Sequence, residues 1–103
     1  MDIRLYKIIV TPKAYNDINQ VYQYISENLY AEKSAIRLMK KIEEKIMQLK
    51  FNPRMYPIIE LSSELKMKYR RIIVDKYAIL YTINEKIKTV YISHMYYTEK
   101  NYI

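Results

Sequence analysis

The sequence predicts an α+β domain of order β-α-α-β-β-β, with an antiparallel helical hairpin packed on one face of a twisted, largely antiparallel sheet. Three observations predict it. Two consecutive stretches carry apolar residues three and four apart, three later runs are dense in β-branched residues and tyrosine, and those runs are separated by loops of hairpin length. No linker, repeat or low-complexity stretch interrupts the 103 residues, so residues 1–103 are expected to form one domain.

Residues 3–10, rich in Ile and Val, read as the first strand. Thr11-Pro12 then starts a helix, Thr supplying the N-cap oxygen and Pro taking the first helical position, where a missing N–H costs nothing. Ala14, Ile18, Val21, Ile25 and Leu29 fall on one helical face. Asn28 is the expected stop, because in a chain without glycine asparagine most easily takes the left-handed C-cap conformation. The second helix starts near Ala31, repeats the stripe at Ala35, Leu38, Met39, Ile42, Ile46 and Leu49, and ends before Phe51-Asn52-Pro53, since Pro53 disfavours helical geometry at Asn52. Two such helices joined by a few residues make a hairpin whose common apolar stripe needs a sheet to cover. Residues 53–67 read as irregular. Lys68–Val74, Tyr77–Ile83 and Lys88–Met95 then read as strands joined by Asp75-Lys76 and by Asn84-Glu85-Lys86.

Composition excludes several chemistries. The chain has no Gly and no Cys, which removes Gly-rich phosphate loops, disulfides, thiolate nucleophiles and cysteine metal sites. Its one His rules out a His-rich metal centre. No metal and no cofactor are expected. The N-terminus is too short and too charged for a signal sequence and no apolar run is long enough to span a bilayer, so a cytoplasmic protein with no membrane partner is expected. The formal charge of +7 points to an anionic partner, nucleic acid or acidic protein.

The densest basic cluster is Lys66, Lys68, Arg70 and Arg71. A guanidinium grips phosphate with two parallel hydrogen bonds, so this strand is a candidate phosphate site. Alternation sets Arg71 beside Tyr69 and Ile73, and Arg70 beside Ile72 and Val74, so at most one of the two arginines lies on the helix-free face. A second basic series, Lys33, Arg37, Lys41 and Lys45, runs along the second helix, with Glu43 and Glu44 close enough to offset it in part. Among 13 tyrosines most read as packing residues, whereas Tyr96 and Tyr97 are consecutive at a strand end, which turns one of them away from the core. His94 is the one side chain that ordinarily titrates near neutrality, and Glu60 and Glu64 are the acidic groups of the irregular segment.

Taken together, Ala14-x-x-Asp17-Ile18-x-x-Val21-x-x-Tyr24-Ile25, the Ile42…Ile46-x-x-Leu49-x-x-x-Pro53 close of the second helix, the strand and hairpin Tyr69-Arg70-Arg71-Ile72-Ile73-Val74-Asp75-Lys76-Tyr77-Ala78-Ile79-Leu80-Tyr81, and Val90-Tyr91-Ile92-Ser93-His94-Met95-Tyr96-Tyr97 resemble, in order and spacing, the RelE/ParE superfamily of bacterial type II toxins. The resemblance implies a growth-arresting toxin neutralised by a cognate, acidic antitoxin. It implies one of two targets. A RelE-like member would cleave mRNA on the ribosome, with Arg71 on the scissile phosphate, Tyr97 as the terminal aromatic and Glu64 or Glu60 as the base. A ParE-like member would poison DNA gyrase without nuclease residues, and the two long helices favour that branch. In either case Lys66, Lys68, Arg70, Arg71, His94 and Tyr96 are the residues expected to meet nucleic acid or phosphate. The oligomeric state stays open.

Overall fold

A computed structural model describes residues 5–59 and 68–99. The first strand, β1 (Lys7–Val10), leads through Thr11 into helix α1 (Pro12–Gln23), and a single π-helical turn (Tyr24–Asn28) extends it. Helix α2 (Glu32–Gln48) returns, followed by the short strand β2 (Ile58–Ile59) and then β3 (Tyr69–Val74), β4 (Tyr77–Asn84) and β5 (Thr89–Tyr97). The five strands form one sheet in the order β1-β5-β4-β3-β2. Every pairing is antiparallel except β1 with β5, where Lys7 to Val10 run alongside Thr89 to Ile92. The expected α+β hairpin-on-sheet architecture is what the chain adopts, with β2 and the parallel β1–β5 pair as additions.

The helices begin and pack for the reasons their sequence holds. Thr11 Oγ1 accepts the Ala14 N–H at 3.2 Å, with Pro12 at the first helical position. Ala14, Leu38, Ile42, Ile46 and Leu49 then bury against Ile72, Val74, Ile79, Tyr81, Val90, Ile92 and Met95 from β3, β4 and β5. Full burial of each such side chain contributes roughly 1.5–3 kcal/mol. That core lies wholly between the helical hairpin and one face of the sheet, which, among the described residues, leaves the other face free of helices.

The helix end differs from expectation. Asn28 is not the left-handed residue; it closes the π turn, and Tyr30 carries the positive φ of 49°. The cause is the turn itself. Leu29 N–H donates to Tyr24 O, five residues back, so one extra residue is wound in and everything after it rotates by about 100°. Leu29, expected on the buried stripe, is therefore exposed. The two later turns also lack glycine, and Asp75 and Lys88 take φ of 54° and 50°. Tyr30 is 92% exposed and holds no packing at that site. Tyr30→Gly is expected to raise stability by about 0.5–1 kcal/mol, because relief of the left-handed backbone outweighs the extra freedom glycine gains when unfolded. Thermal melting reads this as a higher midpoint, and an unchanged or lower one would show that Tyr30 is unstrained.

Among the described residues, no helix is long and apolar enough to cross a membrane.

Candidate functional site

Two surfaces flank β5. The first is the helix-free face of the sheet. On β3, Ile72 and Val74 are buried under the helices, so Tyr69, Arg71 and Ile73 point the other way. In register across the sheet, Arg71 pairs with Leu80 and Leu80 with His94, while Ile73 pairs with Ala78 and Ala78 with Tyr96. Arg71, His94, Tyr69 and Tyr96 thus share one face, and the Tyr69 and His94 rings meet edge to face at 6.0 Å between centroids. Among the described residues the strands place no carboxylate on this face.

The two arginines have different employments. Arg70 lies on the core side, where its guanidinium donates to Tyr56 O at 2.7 Å and to Arg54 O at 3.3 Å. Tyr81, fully buried beside it, donates its hydroxyl to Pro53 O at 2.6 Å. Together they clasp the segment after α2 to the sheet. Burial pushes the Tyr81 phenol up to about 12, and the nearby Arg70 charge opposes only part of that rise. Arg71, by contrast, is exposed and its side chain makes no ion pair among the described residues.

Tyr97 sits on the side opposite Arg71. It packs against Tyr77 at 5.4 Å between centroids and donates its hydroxyl to Glu99 Oε2 at 2.9 Å. That bond holds the Tyr97 phenol above its ordinary value and Glu99 below its own. The structure therefore brings Arg71, His94 and Tyr96 together and keeps Arg70 and Tyr97 apart from them. Lys68 is exposed just before β3, near Thr82 and Tyr91. Glu60, Glu64 and Lys66 lie outside the described residues. On α2, Lys33, Arg37 and Lys41 are exposed and Lys45 is partly covered, while Lys41 reaches Asp75 at 3.2 Å.

A β-bulge, invisible to sequence periodicity, shapes this face. Leu80 pairs with His94 but Tyr81 with Ile92, so Ser93 is the extra residue. Its hydroxyl donates to Leu80 O at 3.1 Å and lies 3.0 Å from His94 Nδ1. The bulge also resets the alternation, which is why Ile92 and Met95, three apart, both face the core.

The second surface is a groove between the helical hairpin and the outer edge of β5. Val21, Ile25, Leu29, Leu38, Tyr77 and Met95 line its apolar floor, Lys13, Lys76, Asp17 and Asp75 stand at its rim, and it reaches round to His94 and Tyr96. β1 ends beside Ile92, so among the described residues the later part of β5 has no strand on its outer side. Asp17 takes the place of one, its Oδ2 accepting the Met95 N–H at 3.2 Å.

The family model described as ParE toxin of type II toxin-antitoxin system, parDE, matches residues 8–102. No curated protein matches the chain by sequence. Among solved structures, the fold is similar to the chromosomal ParDE toxin-antitoxin system from P. aeruginosa, at 16% identity and a TM-score of 0.71, over 93% of this chain and 99% of that one. It is also similar to the archaeal RelE-RelB complex from Pyrococcus horikoshii OT3, at 14% identity and a TM-score of 0.62, covering 94% and 99%. The toxin-antitoxin complex RelBE2 from Mycobacterium tuberculosis aligns at 18% identity with a TM-score of 0.58, covering 90% and 98%.

Proposed function

The chain belongs to the ParE toxin family of type II toxin-antitoxin systems, and from that premise we propose that it arrests growth in the cytoplasm by poisoning DNA gyrase without catalysing a reaction of its own. The observation that carries this reading is the separation of Arg71 from Tyr97. A nuclease of the RelE-like kind needs both groups at one scissile phosphate, and here they project from opposite sides of the sheet. Tyr97 is further engaged as a donor to Glu99, which holds its proton and makes its phenol a poorer acid. The reading is of a protein that works by contact, as a basic surface docked on a large target.

A cognate antitoxin fits the same picture. The groove beside β5 offers an apolar floor with a rim of mixed charge, and the whole chain carries +7. An acidic segment with apolar residues at helical or alternate spacing, disordered until it binds, would bury that floor and meet the rim.

RelE-like cleavage is the competing reading, favoured by the placement of Arg71 and His94 on one open face. The purified chain decides between them. Blocked supercoiling with trapped, cleaved DNA and intact mRNA on translating ribosomes is the expected result. Cleaved mRNA, lost on Arg71→Ala in a protein that stays folded, would overturn it. Expression without the antitoxin that leaves growth unchanged would indicate a chain retaining only antitoxin binding.

A further inference from the structure

The sheet ends at β1, and the backbone of that strand is unevenly used. Lys7 N–H donates to Lys88 O at 2.8 Å and Thr11 N–H to Ile92 O at 3.0 Å, so the odd-numbered residues bond inward to β5. Successive residues of a strand aim their N–H and C=O groups at opposite edges. Tyr6, Ile8 and Val10 therefore aim theirs outward. Tyr6 N–H is taken by Lys50 O at 2.9 Å, and Pro12 has no N–H to offer. Among the described residues nothing pairs with Ile8 and Val10 on that side. The result is a short open edge, stopped chemically at each end.

Its side chains are not those of a guarded edge, which is commonly blunted by charge. Ile8, Ile9 and Val10 make it apolar on both faces, and Lys7 stands only at its start. Leu5 and Phe51 are exposed at one end of the strand, Val10 and Tyr15 at the other. Phe51 belongs there because it follows Lys50, which is bonded to Tyr6; Tyr15 does because its N–H bonds to Thr11 O.

The strand matches a second copy of itself run antiparallel. A two-fold axis at Ile9 sets Ile8 against Val10 of the second copy and Val10 against its Ile8, each pair exchanging both of its backbone hydrogen bonds. Lys7 then faces Thr11 and not another Lys7, so the two cations stay apart. The Leu5 and Phe51 end of one copy meets the Val10 and Tyr15 end of the other. The next outward pair would be Tyr6 with Pro12, where neither has a free N–H, and the ladder stops. We propose that the chain forms a weak homodimer through β1, joining two five-stranded sheets into one with all four helices on the same side. The pairing uses up the edge, so assembly stops at two. Ile8, Ile9 and Val10 do not line the groove beside β5, and the interface holds or fails whatever the outcome of the gyrase reading.

Sedimentation of the full chain tests it. A monomer–dimer equilibrium is expected with a Kd of roughly 10–100 µM, since so short an edge buries little surface. Each copy carries +7, so added salt is expected to tighten the dimer. A chain still monomeric at about 1 mM, roughly tenfold above that range, would overturn the proposal. Val10→Pro removes an outward N–H without touching the bonds to β5, and is expected to weaken the dimer about tenfold with its melting midpoint unchanged. Cross-linking tests the register independently of how that variant folds. The chain has no cysteine, so Ile9→Cys places a single thiol beside the two-fold axis. Opposed residues of a non-hydrogen-bonded pair lie about 4.5 Å apart at Cα, within disulfide reach. Under mild oxidation Ile9→Cys is expected to cross-link into a dimer, whereas Lys7→Cys, about 14 Å from its own counterpart, is not. A dimer that survives Val10→Pro, or equal cross-linking of the two cysteine variants, would place the contact elsewhere and refute the pairing.

Discussion

Tyr81→Phe is expected to lower the free energy of unfolding by about 1–3 kcal/mol while leaving the core volume almost unchanged. The hydroxyl removed is the buried donor to Pro53 O, so that carbonyl, beneath a fully buried ring, loses its partner. The loss is larger than for a surface hydrogen bond because water has no access to replace the donor. Urea unfolding measures it, and a change below about 0.5 kcal/mol would show that Pro53 O finds another donor. The same residue governs alkaline stability. A phenol whose folded value is raised to about 12 from an ordinary 10 favours the folded state fully below pH 10, and that contribution fades as the pH climbs toward 12. A two-unit rise corresponds to about 3 kcal/mol. Wild-type protein is therefore expected to lose stability steeply over this interval, and Tyr81→Phe, which has nothing there to ionise, to lose less. Parallel pH curves for the two proteins would refute the assignment.

Asp17→Ala is expected to cost about 1.5–3 kcal/mol and to make the protein prone to self-association. The carboxylate, whose side chain is 11% exposed, accepts the Met95 N–H and pairs with Lys13. A charged acceptor on a backbone donor is worth more than a neutral one. Its removal also uncovers the outer edge of β5, and an unpaired edge invites another strand. Asp17→Asn keeps an acceptor oxygen and is expected to retain part of the stability. Denaturant melts with light scattering at raised concentration distinguish the cases. Equal behaviour of Ala and Asn would mean that Asp17 acts through Lys13 alone.

Much of this was legible in the sequence wherever structure follows local periodicity. Ala14, Ile42 and Ile46 read as core because helical spacing repeats every three or four residues, and they are core. The parity of β3 placed Arg70 and Arg71 on opposite faces. Parity alone does not say which face the helices cover; the burial of Ile72 and Val74 against them sets Arg70 on the covered side. Leu29 was misplaced because a π turn shifts the phase without any marker in composition. The left-handed residue fell on Tyr30 and not Asn28 for the same reason. Asp17 and Met95, 78 positions apart, and the Ser93 bulge belong to contacts between distant segments, which leave no local pattern. Which residues share the open face therefore emerges only from register.

The parallel pairing of β1 with β5 also bears on how the protein comes into being. Thr11 donates to Ser93 O across 82 positions of chain, and β5 sits between β1 and β4 in the sheet. Until β5 is present, β1 lacks the strand it pairs with and α1 the strand it chiefly packs on. Closing so long a loop is entropically costly and such topologies fold slowly. A nascent chain that has made everything before β5 thus holds neither the Arg71–His94 face nor the groove beside β5. Both surfaces therefore arise together, in the single step that seats β5 between β1 and β4.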